Sequence, residues 1–210
     1  MEIKITNTSP HSGHVLTTCC PQCGRDGTFE GISNINDCFA PPYILGLRRC
    51  PNPSCNSYLF FVHSEQLNKL MVTYPALRID FDKTGIPVQI TKYFEEAVTC
   101  HAERCYTAAA MLIRRTLEEI CGEQGGEGDN LKERIQSLQD KIIIPKELFE
   151  GMDELRLLGN DAAHIESKDF ENVGKDEVEV GIELTKEILK AVYQYSQLLD
   201  KLRSLKKKDG

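Results

Sequence analysis

Two cysteine pairs near the N-terminus constrain this chain more than any other feature. The first is Cys20-Pro21-Gln22-Cys23-Gly24 and the second is Cys50-Pro51-Asn52-Pro53-Ser54-Cys55. Two thiolates separated by two residues reach a single tetrahedral ion, and a glycine after the second permits the tight turn that follows. The prolines of the second pair enforce a turn across its four-residue spacing. Six of the nine cysteines lie between Cys19 and Cys55, which points to metal binding rather than to scattered core thiols. An odd total also argues against a disulfide framework.

The flanking segments read as strands. Val15-Leu16-Thr17-Thr18 leads into the first pair, Tyr43-Ile44-Leu45-Gly46-Leu47 leads into the second, and Tyr58-Leu59-Phe60-Phe61-Val62 leaves it. So small a β-unit has little apolar surface to bury, whereas a structural zinc ion contributes on the order of 10–16 kcal/mol to folding. Residues 1–63 are therefore expected to be a zinc ribbon, with Zn2+ held by Cys20, Cys23, Cys50 and Cys55. Cys19 is an alternative to Cys20 as first ligand, and Cys38 is a spare. Four thiolates on one zinc ion leave a formal charge of −2, which Arg25, Arg48 and Arg49 are placed in sequence to offset. Four ligands also close the coordination sphere, so the expected role is structural.

The remainder is of a different kind. Residues 64–91 read as a connector, with a short helix from Ser64 to Met71 and interruptions at Pro75, Gly85 and Pro87. Residues 92–210 carry helical periodicity in four segments: Lys92 to Cys121, a short one around Leu131, Ile135 and Leu138, one from Pro145 to Ile165, and one from Lys175 to Leu205. Val178, Ile182, Leu189, Val192 and Leu199 are the expected inward positions of the last. The expected fold class is α+β, a small β zinc ribbon followed by an all-α antiparallel bundle. No apolar run approaches the ~18 residues of a membrane span, and Met1-Glu2-Ile3-Lys4 lacks the build of a signal peptide. A cytoplasmic location is expected.

Charge separates the two parts. Residues 1–91 hold seven Lys/Arg and seven Asp/Glu, whereas residues 92–210 hold eighteen and twenty-five, which accounts for the whole net charge of −7. An acidic bundle argues against a broad, sequence-independent grip on a phosphate backbone and leaves room for a small local site.

The third helix offers one. Leu148, Met152, Leu155, Gly159 and Ala162 form an inward stripe, and Gly159 in mid-helix implies close approach of another helix. Asp153, Arg156, Asn160 and His164 fall on the neighbouring stripe. An arginine fork, an amide and an imidazole one turn apart suit a phosphate or nucleotide. The same residues also read as ordinary rim groups, with Asp153 and Arg156 a helical ion pair.

Tyr106-Thr107-Ala108-Ala109-Ala110-Met111-Leu112-Ile113-Arg114-Arg115-Thr116-Leu117-Glu118 and Leu155-Arg156-Leu157-Leu158-Gly159-Asn160-Asp161-Ala162-Ala163-His164 resemble the two signature segments of the bacterial domain-of-unknown-function family 4145. That family occurs alone and attached to restriction enzymes, and is similar to the HEPN superfamily of helical bundles, which includes ribonucleases, toxins and phage-defence proteins. The resemblance covers about residues 75–205. It implies a HEPN-like bundle that pairs as a homodimer, and a candidate site at Arg156, Asn160 and His164. In HEPN ribonucleases an arginine precedes the histidine by four to six residues. Here Gly159 stands in that place and Arg156 is the nearest substitute. The expectation is therefore a nucleic-acid or nucleotide-binding module of phage defence or restriction, leaning away from an enzyme, with a partner protein from the same system. The alternatives are a metal-independent ribonuclease acting as a dimer and a structural adaptor.

Overall fold

A computed structural model describes residues 8–11, 13–163 and 173–206. The chain is α+β and divides into two compact units, residues 1–80 and 81–210. The first unit holds the strands: β1 (Ser9–His11), β2 (Leu16–Cys19), β3 (Asp26–Gly31), β4 (Asp37–Ala40), β5 (Tyr43–Arg49), β6 (Tyr58–Ser64) and β7 (Lys69–Tyr74). All neighbours are antiparallel. β5 is the hub. β6 pairs with it along its whole length, from Tyr43↔Ser64 to Arg49↔Tyr58. Its other edge is shared by β4 near the start and β3 near the end.

Alternation along β6 sets the core. Leu59 and Phe61 are fully buried and join Leu16, Cys20, Phe29, Ile44 and Cys50, while Tyr58 and Phe60 face outward. Gly46 on β5 leaves space for this packing, since a methyl group there would lie 2.7 Å from the Phe61 ring and would collide with the Asp37 carboxylate. Asp37 itself is buried against Arg48 in a two-pronged pair of 2.7 and 2.5 Å. The backbone N–H of His14 donates to Asp37, Arg48 donates to the carbonyls of His14 and Leu47, and its guanidinium lies 4.8 Å from the centre of the Phe61 ring. A buried pair with its remaining hydrogen bonds met in this way is tolerated in a core.

The helix expected from Ser64 to Met71 is absent. Ser64 ends β6, its hydroxyl accepts from Leu67 N–H, Asn68 takes φ +44°, and the chain reverses into β7. Leu70, Val72, Thr73 and Tyr74 favour a strand, and the free edge of β6 supplies the partner.

The second unit holds α1 (Val88–Ala102), α2 (Tyr106–Glu123), α3 (Leu131–Leu138), α4 (Lys146–Ala163), α5 (Lys175–Leu189), a π turn over Lys190–Gln194 and α6 (Tyr195–Ser204). The single helix expected from Lys92 to Cys121 is two helices. Arg104 takes φ +63°, Cys105 N–H donates to Cys100 O, and α2 packs back on α1. Val98, Ala102, Cys105 and Ala109 stand at helical steps that cross this break in phase, which conceals it in the sequence; Cys105 is exposed. α2 is central. It packs on α1, α3, α4 and α5 and buries Ala109, Ala110, Ile113, Thr116, Leu117, Ile120 and Cys121.

On α4 the buried set is Phe149, Gly151, Met152, Leu155, Leu158 and Gly159, broader than the stripe expected, with Leu148 and Ala162 only half-buried. At the end of the chain the π turn adds a residue per turn and rotates the inward face. Tyr193 is buried and donates to Glu123, Val192 is half-buried, and Leu199 is exposed rather than inward. Among the described residues no helix is long and apolar enough to cross a membrane.

Candidate functional site

The cysteines meet at one end of the β5–β6 hairpin. The Sγ atoms of Cys20, Cys23, Cys50 and Cys55 all lie within 4.8 Å of one another, with Cys20–Cys55 at 3.9 Å and Cys23–Cys50 at 3.8 Å. Sulfurs at ~2.3 Å from a tetrahedral ion stand about 3.8 Å apart, so these thiols sit at the separation that one ion requires. This group can hold a metal ion. Two turns build it. Cys20 N–H donates to Arg25 O, Gly24 N–H donates to Cys20 O, and Gly24 takes φ +69°. In the second turn Asn52 Oδ1 accepts from Ser54 N–H, Asn52 O accepts from Cys55 and Asn56 N–H, and Cys50 N–H donates to Ser57 O.

The surroundings pull the thiols of Cys20 and Cys23 in one direction and that of Cys50 in the other. The backbone N–H of Arg25, and then Asn52 Nδ2 at 3.6 Å from the sulfur, hold Cys23 down to about 6. Burial pushes Cys50 up to about 12. Burial also acts upward on Cys20, but the Ser57 hydroxyl and the backbone N–H groups of Cys23 and Gln22 leave it lowered. A bound cation replaces the protons of such a cluster and links its occupancy to folding. Cys19 ends β2 and Cys38 is exposed on β4, both outside the group. Two of the arginines expected to offset the thiolate charge are engaged elsewhere: Arg48 is buried on Asp37, and Arg49 bonds Glu30 at 2.6 Å.

The helical unit brings Arg156 and Asn160 to one edge, Arg156 in the helical ion pair expected with Asp153 and Asn160 with a partner not expected. Arg156 Nε bonds Asp153 at 2.7 Å and is mostly buried. Asn160 is met instead by Arg114 of α2, whose Nη1 donates to Asn160 Oδ1 at 2.6 Å and to Arg156 O at 3.3 Å. Glu118, one turn along α2, accepts from Arg114 Nε at 3.3 Å. Gly159 makes room for this arginine: a methyl group there would overlap Arg114 Cβ and lie 3.0 and 3.1 Å from its Cδ and Cγ. A cavity of about 460 Å³ opens beside the pair, lined mainly by Ala108, Met111, Leu112, Arg114, Gly159 and Ala163. His164 lies outside the described residues. Sequence reasoning missed Arg114, although it stands in the first signature segment and Gly159 signalled a close neighbour.

These features define a two-unit α+β chain, with a four-cysteine cluster in the sheet unit and a helical unit whose two signature segments meet through Arg114 and Asn160. Residues 95–208, more than half of the chain, match the family described as Domain of unknown function (DUF4145), and the chain belongs to that family. No curated protein and no solved structure matches the chain.

Proposed function

We propose that the sheet unit is a zinc ribbon, with Zn2+ held by Cys20, Cys23, Cys50 and Cys55, and that the helical unit is a HEPN-like bundle. On this reading the protein is a homodimeric nucleic-acid or nucleotide-binding module of phage defence or restriction, working with a partner protein. The observation that carries it is the thiol cluster: four sulfurs at tetrahedral spacing are what thiophilic Zn2+ selects, and they leave no open position for chemistry at the metal. The bundle's acidity confines any phosphate contact to a local site such as Arg114, Arg156 and Asn160.

A ribonuclease is the second reading, favoured by one observation. Arg114 reaches Asn160 from α2 and so supplies a guanidinium where α4 has Gly159. His164 would then act as general acid or base on the RNA 2′-hydroxyl.

The test is to mix the purified, zinc-loaded chain with labelled RNA, DNA and nucleotides at low and high salt. Binding without cleavage supports the module; absence of binding to all of them removes it. Cleavage to a cyclic phosphate that is lost in His164→Ala replaces it with the ribonuclease.

A further inference from the structure

The outward face of the β5–β6–β7 sheet carries aromatic rings that the core does not use. Tyr58, Phe60 and Tyr74 are 56%, 38% and 74% exposed. They share one face. Tyr58 and Phe60 are two residues apart on β6, Tyr74 is the register partner of Phe60 on β7, and Arg49 is the register partner of Tyr58 on β5. Leu47, the register partner of Phe60 on β5, is half-buried, and beyond it Val62 and Leu45 are buried in a small cluster, so the exposed part is a discrete patch beside the cysteine turn. Contiguous exposed rings of this kind mark a binding surface rather than a scattered surface residue.

We propose that this patch is a stacking platform for single-stranded nucleic acid: Tyr58 takes one base, the Phe60–Tyr74 pair takes the next, and Arg49 meets a phosphate. This rests on the nucleic-acid reading above and specifies where and in what form the strand binds. Ring spacing selects the form. Two residues along a strand advance ~6.7 Å, about twice the 3.4 Å rise per base within one strand of a duplex. Successive rings on β6 are therefore too far apart for stacked duplex bases and match bases splayed from a single strand. Paired bases also present no free π-face to a flat sheet.

Charge selects the unit. Residues 1–80 carry six Lys/Arg and six Asp/Glu, so they do not repel a phosphodiester, whereas residues 81–210 carry nineteen and twenty-six. Arg49 bonds Glu30 in a pair about half exposed on both sides. Exposed pairs of this type contribute little, so the guanidinium exchanges carboxylate for phosphate readily. With one such contact, binding is driven by stacking and depends weakly on salt, with a slope of about −0.7 on a log–log plot. The cysteine turn enters directly. Arg49↔Tyr58 is the last pair before Cys50, and Cys50 N–H closes the hairpin on Ser57 O at 2.8 Å. An ion held by Cys50 and Cys55 would tie the two strands of the platform together at this end.

The experiment measures anisotropy of labelled oligo-dT and oligo-U, and of a duplex, on the zinc-loaded full chain. The chain has seven Tyr and no Trp, and the share of tyrosine quenching lost in Tyr58→Ala and Tyr74→Ala reports stacking on those two rings. Single strands bind with a shallow salt slope and the duplex does not. Tyr58→Ala and Tyr74→Ala each weaken binding roughly five- to 100-fold, and Tyr58→Phe restores it. Both positions are exposed, and retained zinc and unchanged circular dichroism confirm folding of the variants. If single strands bind the Tyr58→Ala/Tyr74→Ala double variant as tightly as the parent, the platform is overturned while the nucleic-acid reading stands. If no nucleic acid binds the parent, both fall. A change of oligomeric state in Tyr58→Ala without any nucleic-acid binding reassigns the patch to a protein contact and overturns the proposal.

Discussion

Replacing Gly159 with alanine sets helix propensity against packing, and the structure decides the sign. In an exposed helix the substitution would stabilise by about 1 kcal/mol. Here Gly159 is buried in α4, and the added methyl group overlaps Arg114 Cβ on α2. That atom is the root of the side chain, so no rotamer change relieves the overlap and the helices must move apart. Overpacking of this kind costs about 1–3 kcal/mol. The movement also lengthens the 2.6 Å bond from Arg114 to Asn160, a charge-assisted contact worth about 1.5 kcal/mol. Net destabilisation is about 2 kcal/mol, or roughly 6 °C in midpoint for a unit of this size. Thermal unfolding followed by the helical circular dichroism signal reads it. The Arg114→Ala background sharpens the test, because alanine keeps Cβ and most of the penalty should persist. An unchanged or raised midpoint in Gly159→Ala refutes the argument, as does full relief of the penalty by Arg114→Ala.

Three further outcomes are expected. With the proposed zinc ion in the cluster, Cys23→Ser loses the metal and unfolds the sheet unit, whereas Cys19→Ser and Cys38→Ser keep full stoichiometry by elemental analysis, since neither belongs to the cluster. Asp37→Ala leaves Arg48 buried without its counter-charge and destabilises the sheet unit by about 3–5 kcal/mol, read in urea melts. Burial lowers His101 below its usual 6.5, so the folded state favours the neutral ring. The stability this gives is complete above about pH 6.5 and is lost as pH falls below it through the folded-state value. His101→Asn should therefore show a flatter urea midpoint between pH 7 and pH 5, at saturating zinc, than the parent.

What could be read from the sequence depended on range. The cysteine turns were legible because each is local: two or four residues of spacing, a glycine for positive φ and prolines for the bend determine the geometry without the rest of the chain. The thiol cluster then needed only that two such turns meet. Assigning Arg48 to the thiolates failed because its partner, Asp37, is brought to it by strand pairing and burial, which proximity in sequence does not reveal. The break at Arg104 was hidden because the apolar rhythm continues in phase across it. β7 was hidden because a free strand edge, not propensity alone, made Leu70 to Tyr74 a strand. Arg114 and Asn160 are 46 residues apart, and only the packing of α2 on α4 joins them.

That junction also bears on the choice between binding and cleavage. Both guanidinium groups at the edge already have carboxylates, Arg156 with Asp153 and Arg114 with Glu118, and Arg114 is further tied to Asn160. A phosphate ligand carries enough charge to compete for a partly exposed arginine, so recognition is open to this arrangement. Stabilising a transition state asks more, because the donors must already point at the charge as it develops and must not first be released from other acceptors. On the proposed reading, an edge whose arginines are already held by Asp153, Glu118 and Asn160 fits recognition better than catalysis. Turning it into a ribonuclease would need a rearrangement that frees Arg114 from both Glu118 and Asn160 before the chemical step.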